Sequence, residues 1–239
     1  MSRLEFDGLA VGEAPADLAW RAKALFGPDV AVAALDPRHD HPGLLPGEAA
    51  AMAAARPGRR REFAAGRVAA HRAMAALGAP VWPVPAGPDR APVWPPGLVG
   101  SISHDAGACL AVLARRSALR SVGVDIEPDA PLDPALWDSI CLPEERAWLA
   151  ARPAGDRGRL ARLIFSAKEA VYKLQYPLTG CLFGFETIAI AFEGPTFRAR
   201  FQNAVGPFVS GARLPGVWSV AGGRILTGAA LAAAPDDRP

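Results

Sequence analysis

The sequence SVGVDIE, residues 121–127, alternates apolar side chains with glycine and carboxylates. Successive side chains of a β-strand point to opposite faces, so the valines and the isoleucine share one face. Asp125 and Glu127 share the other face. The pattern therefore predicts a strand that packs its apolar side in a core and presents two neighbouring carboxylates on the opposite side.

Two carboxylates this close repel each other, and a hard cation relieves the repulsion. Mg²⁺ takes oxygen ligands from one or a few carboxylates and completes its shell with water and substrate phosphates. The alternative is an acidic strand end that faces solvent. The strand alone favours this alternative, because carboxylate pairs outside a larger motif are common.

A second segment, FSAKEAVYKLQYP at residues 165–177, supports the metal interpretation. At roughly 100° per residue, its small and aliphatic residues fall on one face of a helix. The opposite face carries Phe165, Glu169, Tyr172, Lys173 and Tyr176, with Lys168 at its edge. We expect this helix to bury one side and to present the other to a site.

Glu169 and Lys173 are four residues apart and admit two interpretations. One is a surface ion pair, which contributes only about 0.2–0.5 kcal/mol. The other makes Glu169 a third metal ligand beside Asp125 and Glu127, while Lys168 and Lys173 hold phosphate oxygens.

The segment GSISHDAG, residues 100–107, places Ser103 and His104 just before a predicted strand. Its small residues allow a ligand to approach the backbone closely. A histidine there can donate a hydrogen bond to a phosphate, whereas a lone loop histidine more often has a structural role.

Basic side chains gather on a helix predicted from about Arg59 to Leu77. Along one stripe lie Arg60, Arg67 and His71, with Arg59 and Arg61 beside them, and Arg90 follows in a loop. A solvated basic face is the alternative. Guanidinium groups that face bidentate phosphate oxygens are what an anionic nucleotide substrate requires.

Glycine and proline, 24 each, divide the rest of the chain. Further helices are predicted at residues 46–55, 143–151 and 159–175, the last stopping before Pro177. Strands are predicted at residues 110–114, 121–126, 187–192, 197–201, 217–220 and 225–226. Residues 81–100 are predicted as a loop and residues 234–239 as a frayed end. Helices and strands alternate without a βαβ rhythm, so the predicted class is α+β.

The composition of the 239 residues, 51% hydrophobic and 21% charged, is that of a folded protein. A net charge of +2 does not by itself indicate nucleic acid. The three cysteines form no Cys-x-x-Cys pair, which disfavours a disulfide framework or a zinc knuckle. The sequence shows no signal peptide and no apolar stretch long enough to cross a bilayer, so we expect a cytoplasmic protein.

The order of GSISHDAG, GVDIEP and FSAKEAVYK resembles the surfactin-type 4′-phosphopantetheinyl transferases. The likeness is greatest to their enterobactin-synthetase component D-like branch. That branch also has an EFAAGR-type helix, a PVWP stretch and an LFGFE segment, found here at residues 62–67, 92–95 and 182–186. The resemblance covers about residues 56–227.

The resemblance implies two similar α+β halves related by a pseudo-twofold axis, with coenzyme A in the cleft between them. Residues 1–121 would form the half that holds the nucleotide phosphates, and residues 122–239 the half with the carboxylates. A faint internal echo between residues 63–67 and 165–169 fits such a duplication.

The resemblance also implies roles for individual residues. The metal ligands would be Asp125, Glu127 and Glu169. The groups that contact coenzyme A would be Arg59, Arg67, Arg90, Ser103, His104, Lys168 and Lys173. Glu169 and Lys173 would be the catalytic pair. Three consecutive arginines, at positions 59–61, stand where the family pattern needs one or two, and Asp89-Arg90 replaces a lysine found in many relatives.

In the implied reaction, a serine hydroxyl of an acyl or peptidyl carrier protein attacks the β-phosphorus of coenzyme A, and 3′,5′-adenosine diphosphate leaves. The reaction would use Mg²⁺, with Mn²⁺ as a possible substitute. The expected partners are carrier proteins of nonribosomal peptide, polyketide or siderophore synthesis. We expect a monomer without a nucleic-acid or membrane partner.

Two other function classes compete with a transferase. A metal-dependent nuclease also uses clustered carboxylates and a lysine, but the common nuclease pattern places the lysine two residues after the acid, and the low net charge argues against DNA. A non-enzymatic carrier-binding module is the other class. It would not need three carboxylates and two lysines in this arrangement.

Overall fold

Two antiparallel β-sheets and the helices around them make up residues 14–233, the part of the chain that the computed structural model describes, the side chain of Ala221 excepted. The helices are α1 (Pro15–Ala24), α2 (Pro57–Ala76), α3 (Trp137–Ile140), α4 (Pro143–Ala150) and α5 (Arg157–Thr179). The strands are β1 (Val30–Leu35), β2 (Leu98–His104), β3 (Cys109–Arg115), β4 (Leu119–Pro128), β5 (Ile188–Glu193), β6 (Thr196–Phe201), β7 (Arg213–Ala221) and β8 (Arg224–Ala232). This architecture confirms the α+β class.

The first sheet has the strand order β1-β3-β2 and is covered by α2. This helix packs four buried alanines and Met74 against the sheet, and the small side chains let the helix approach closely. Gly66 lies on the same face, and a Cβ atom there would come within 3.1 Å of Ile102 on β2. This packing holds the first turns of α2, with Arg59, beside the end of β2.

The second sheet has the order β4-β8-β7-β6-β5, and α5 crosses it over β4 and β8. Gly123 is required at the crossing, because a Cβ atom there would overlap the backbone of Ala170 and Leu174. The helix therefore lies directly on the face of β4 that carries Asp125 and Glu127. The opposite, apolar face of β4 is buried in a core with α1, β1 and β3, as the alternation predicted.

The two sheets meet where β2 runs beside β4. Ser101 Oγ accepts a hydrogen bond of 3.2 Å from the Val124 amide, and Ser103 Oγ accepts one of 3.3 Å from the Ile126 amide. These serine hydroxyls take the place of a neighbouring strand's carbonyl groups at the free edge of β4. The end of β2 is thus held against the carboxylates of β4.

The predicted end of α5 at Gln175 is wrong, because the helix continues through Pro177 to Thr179. A proline lacks one amide donor, but within the last turn that loss affects a single hydrogen bond. Gly180 then ends the helix in a left-handed conformation, with φ of 64° and its amide donating to the carbonyl of Tyr176.

Other boundaries also differ from the sequence prediction. Ser103 and His104 precede β3, as predicted, but they lie at the end of β2, which was not predicted as a strand and begins within the predicted loop. The elements α1 and β1 were not predicted either. The predicted helix at residues 46–55 is only a 3₁₀ turn at Ala49–Met52, and β7 and β8 are longer than expected. The frayed end at residues 234–239 lies outside the described residues. The pseudo-twofold relation and the boundary after residue 121 stay predictions.

Candidate active site

Asp125 lies at the centre of the candidate site and is only 3% exposed. Its Oδ1 atom accepts hydrogen bonds from Ser103 Oγ at 2.8 Å and from Lys173 Nζ at 2.7 Å. Its Oδ2 atom is buried and has no hydrogen-bond partner. A buried carboxylate oxygen without a partner is costly, so this atom is suited to a cation or a ligand group.

Glu127 lies two residues along β4 and shares the face of Asp125, as the strand pattern predicted. It accepts a hydrogen bond of 2.6 Å from Arg162 Nη1 on α5. Burial raises the pKa of Glu127, and the negative charge of Asp125 raises it further, while Arg162 acts in the opposite direction. The sequence analysis missed Arg162, although its spacing of seven residues before Glu169 places both on one helix face.

Glu169 makes no hydrogen bond or ion pair with any residue in the range 14–233. Burial raises the pKa of its carboxyl; Lys173 opposes the shift, and the charges of Asp125 and Glu127 add to it. The helical ion pair between Glu169 and Lys173 is not formed. Lys173 reaches across to β4 and β2 instead, where it donates to Asp125 and, at 2.9 Å, to Ser103.

The structure brings the three predicted metal ligands onto facing elements, β4 and α5. No group of three histidine, cysteine, aspartate or glutamate side chains in the described part of the chain is already close enough to hold a metal ion. The free oxygens are nevertheless of the type that Mg²⁺ prefers, and Mg²⁺ keeps several waters when it binds few carboxylates. Asp125 and Glu169 therefore fit a hydrated divalent cation.

Lys168 is placed differently from the sequence prediction. Its side chain is 1% exposed and forms a buried ion pair with Glu145 at 2.7 Å. It also donates to the carbonyl oxygens of Ile140 at 2.7 Å and Phe185 at 2.9 Å. An ammonium has three donors. All three are used, so this geometry leaves Lys168 no donor for a phosphate and gives it a structural role instead.

His104 and Arg59 contact each other at the end of β2. Arg59 Nη1 donates to His104 Nε2 at 2.8 Å and to Glu62 at 3.1 Å. Burial lowers the pKa of His104; Glu62 opposes this shift, and the cations Arg59 and Lys173 add to it. The lowered pKa favours the neutral imidazole. Because a guanidinium only donates, the Nε2 atom of His104 is the acceptor in the bond from Arg59.

The three consecutive arginines divide into different environments. Arg60 donates to the carbonyl oxygens of Ala53 and Ala55 and so holds the turn that precedes α2. Arg61 has a buried Nε atom without a partner. Of the three, only Arg59 contacts His104, so the geometry favours Arg59 as the arginine of the site.

Arg67 is 5% exposed and lies over the Phe63 ring, 4.1 Å from its centroid. Its Nε atom donates to the Val84 carbonyl at 2.5 Å. The terminal nitrogens of Arg67 donate to no residue that the structure describes. Burial lowers the pKa of Arg67 to about 10, so the side chain remains a cation at neutral pH with donors available to an anion.

A cavity of about 260 Å³ opens between β2 and α5. Arg90 and Lys173 both line it, together with Ser101 of β2 and Tyr176 of α5. A larger depression of about 700 Å³ lies on β5 and β6 and contains none of the predicted site residues. The structure thus groups Ser103, Asp125 and Lys173 by direct contact, pairs Arg59 with His104, and places Arg90 on a cavity wall shared with Lys173. Arg67 forms no hydrogen bond with any of these residues.

Models of known protein families match two segments of the chain. A family model described as the 4′-phosphopantetheinyl transferase N-terminal domain matches residues 47–114. A second, described as the 4′-phosphopantetheinyl transferase superfamily, matches residues 121–210. The two matches together include strands of both sheets but not β1, β7 or β8.

Individual relatives extend the match over most of the chain. The 4′-phosphopantetheinyl transferase Svp of Streptomyces mobaraensis is 42% identical over 80% of this chain and 79% of its own. The transferase PptT of Mycobacterium tuberculosis is 41% identical over 80% of this chain and 88% of its own. Enterobactin synthase component D of Salmonella typhi is 43% identical over 48% of this chain and 47% of its own.

The chain therefore belongs to the 4′-phosphopantetheinyl transferase superfamily, and the matches to enterobactin synthase component D confirm the branch that the sequence resembled. The activity is transfer of the 4′-phosphopantetheine group of coenzyme A to carrier proteins. Among residues 14–233, none of the helices has the length and apolar character needed to span a bilayer.

Proposed function

We propose that this transferase works with Mg²⁺, or Mn²⁺ in its place, held by Asp125, Glu127 and Glu169 beside the pyrophosphate of coenzyme A. The observation that carries the proposal is the pair of unpartnered carboxylate groups, the buried Oδ2 of Asp125 and the side chain of Glu169, on facing elements. When bound, the cation neutralises charge on the phosphate oxygens.

Lys173 lies one helical turn beyond Glu169 on α5 and supports the reaction from beside the carboxylates. Its ammonium is held by Asp125 and Ser103, and its side chain is 26% exposed, so it remains accessible to a phosphate oxygen. Phosphoryl transfer depends mainly on positioning and on neutralising the charge of the transferring group. Lys173 is suited to both tasks because β2 and β4 fix its position.

Glu169 is the proposed general base. The serine oxygen of the carrier protein forms a bond to the β-phosphorus, the bond from phosphorus to the oxygen of 3′,5′-adenosine diphosphate breaks, and Glu169 takes the serine proton directly or through a water. A carboxylate whose pKa is raised by burial binds a proton more strongly than an exposed one. Such a carboxylate is closer to the basicity that catalysis near neutral pH requires.

Arg59, Arg67, Arg90 and His104 are proposed to bind the phosphates of the nucleotide. Arg67 and Arg90 have guanidinium donors that make no bond to described residues, while Arg59 and His104 form one unit. Ser103 positions Lys173 and Asp125. We assign Lys168 to the support of α5 through Glu145, in place of the predicted phosphate contact.

The proposed carrier proteins are the acyl or peptidyl carriers of nonribosomal peptide, polyketide or siderophore synthesis. We also propose that the protein is a cytoplasmic monomer without a nucleic-acid or membrane partner. The likeness to enterobactin synthase components supports a siderophore assembly system as the first one to test.

Calorimetric titration of coenzyme A with and without Mg²⁺ tests the cation proposal. We expect Mg²⁺ to tighten binding by the wild type and to have no effect on Asp125→Asn, which keeps an acceptor for Ser103 and Lys173. The control is Asp138→Asn, at an exposed ion pair with Arg146 on the surface, which should respond to Mg²⁺ like the wild type. Equal affinity of the wild type in both buffers would refute the assignment.

A further inference from the structure

Residues 85–93 form a small hairpin that reaches across the cleft. The carbonyl of Pro85 accepts from the Val93 amide at 2.9 Å, and Ala86 and Pro92 form an isolated β-bridge. The turn closes where the Gly87 carbonyl accepts from the Arg90 amide at 2.9 Å. Arg90 stands at the tip with φ of 69°, a left-handed conformation that favours glycine and is rare for other residues.

The tip of this hairpin is joined to α5 by one side-chain hydrogen bond. Tyr176 Oη donates to Asp89 Oδ2 at 2.6 Å. Asp89 also accepts from the Ala91 amide at 3.0 Å through its Oδ1 atom, so its carboxylate braces the turn and binds the helix at the same time. The Tyr176 ring is itself supported by stacking on Tyr172, with ring centroids 5.8 Å apart.

This bond joins two walls of the cavity that Arg90 and Lys173 line, two of the groups proposed to contact phosphates. Tyr176 lies one helical turn beyond Lys173, and Arg90 follows Asp89 directly in the chain. All four residues line the cavity of about 260 Å³. The hydrogen bond therefore sets how far Arg90, on one wall, stands from Lys173 on the other.

We infer that Tyr176 and Asp89 are positioning residues, a latch that holds Arg90 over the cleft so that it meets a phosphate of coenzyme A. The inference rests on the proposed function. Neither Tyr176 nor Asp89 forms a hydrogen bond with Lys173 or with the proposed metal ligands. The latch should therefore affect binding of the nucleotide and leave the chemical step unchanged. If the bond between Tyr176 and Asp89 is lost, the remaining hydrogen bonds of the hairpin tip to described residues are those within its own turn.

Steady-state kinetics of Tyr176→Phe test the latch. The variant keeps the ring and its stacking and loses only the hydroxyl group. We expect KM for coenzyme A to rise by about three- to tenfold, the range of one net hydrogen bond, with kcat within twofold of the wild type. Asp89→Asn keeps one acceptor oxygen, so it can satisfy the Ala91 amide or the Tyr176 hydroxyl as an acceptor but not both. Its KM should lie between those of the wild type and Asp89→Ala.

A double variant distinguishes the latch from a general loss of packing. If Tyr176 acts through Arg90, then Tyr176→Phe should add nothing to the KM of Arg90→Ala. The matched control is Thr196→Val, which removes an exposed hydroxyl bonded at 2.8 Å to the Glu193 carbonyl in a different hairpin. Its KM should equal that of the wild type.

Additive effects of Tyr176→Phe and Arg90→Ala would overturn the latch, as would an unchanged KM in Tyr176→Phe or a fall in kcat equal to the rise in KM. If the wild type transfers phosphopantetheine and the Mg²⁺ response of coenzyme A binding is intact, those results refute the latch alone. If the wild type fails to bind coenzyme A, the proposed function and the latch are refuted together.

Discussion

Glu169→Gln should make the protein more stable and much less active. In the structure, Glu169 is half-buried on α5 and has no hydrogen bond or ion pair among the described residues, because Lys173 is engaged by Asp125 and Ser103. The wild-type carboxylate therefore carries a desolvation cost that the charge of Lys173 offsets only in part. Glutamine has the same shape and no charge, so the substitution removes that cost.

The size and pH dependence of the effect follow from the raised pKa of Glu169. When a carboxyl has a higher pKa in the folded than in the unfolded protein, the free energy of unfolding falls as the pH rises through the folded pKa. The gain from glutamine should thus be absent well below pH 4 and should reach its full size once the pH exceeds the pKa of the folded protein. Stabilising substitutions commonly contribute about 0.5–2 kcal/mol. At roughly 2–4 °C per kcal/mol for a chain of this size, the melting temperature should rise by about 1–8 °C.

The assay pairs thermal unfolding, in buffer with a chelator and without coenzyme A, with turnover on an apo-carrier protein. Loss of the base should lower kcat by roughly 10²–10⁴-fold. Glu193→Gln is the matched control, since Glu193 is 77% exposed and pairs with Arg198 at the surface; it should change neither quantity. A less stable Glu169→Gln that retains its turnover would refute the reasoning and show that Glu169 is structural.

Three further predictions concern the groups around the cleft. Lys168→Met leaves the buried carboxylate of Glu145 unpaired, which costs about 3–5 kcal/mol. The melting temperature should therefore fall by roughly 6–20 °C. Unchanged stability together with weaker coenzyme A binding would show that Lys168 contacts a phosphate. Arg67→Ala should weaken coenzyme A binding by about 1.5–3 kcal/mol and affect dephospho-coenzyme A much less, and equal losses in calorimetry would contradict a 3′-phosphate contact. The pKa of His104 is lowered, and a bound phosphate should raise it. The wild type should therefore take up more protons than His104→Gln when it binds coenzyme A near pH 6. Calorimetric titrations in buffers of different ionisation enthalpy measure the difference, and equal proton uptake would exclude His104 from the phosphate site.

The face of each carboxylate-bearing element could be predicted because it depends on local periodicity. Alternation along β4 placed Asp125 and Glu127 together, and helical spacing buried the apolar side of α5 as expected. Gly123 belongs to the same sequence motif. The requirement for glycine at this position comes from the close crossing of α5 over β4, and the strand pattern alone could not predict that tertiary contact.

The partners of the charged groups could not be predicted, because they come from distant parts of the chain. Lys173 pairs with Asp125, 48 residues away, although Glu169 is nearer in sequence. Lys168 pairs with Glu145 because α5 turns that edge toward α4, and a helix drawn alone cannot show which edge a neighbour covers. The bond between Tyr176 and Asp89 likewise joins residues 87 positions apart.

Intact-mass analysis of an apo-carrier protein incubated with coenzyme A tests the central claim most directly. The account predicts that wild-type enzyme with Mg²⁺ adds one phosphopantetheine group to the carrier, and that the addition disappears with a chelator, in Asp125→Asn, and on a carrier whose acceptor serine is replaced by alanine. Modification at the same rate in the chelator, or by Asp125→Asn at saturating Mg²⁺, would contradict the assignment of the carboxylates. An unmodified carrier in every sample, across acyl and peptidyl carriers of the proposed classes, would contradict the transfer itself.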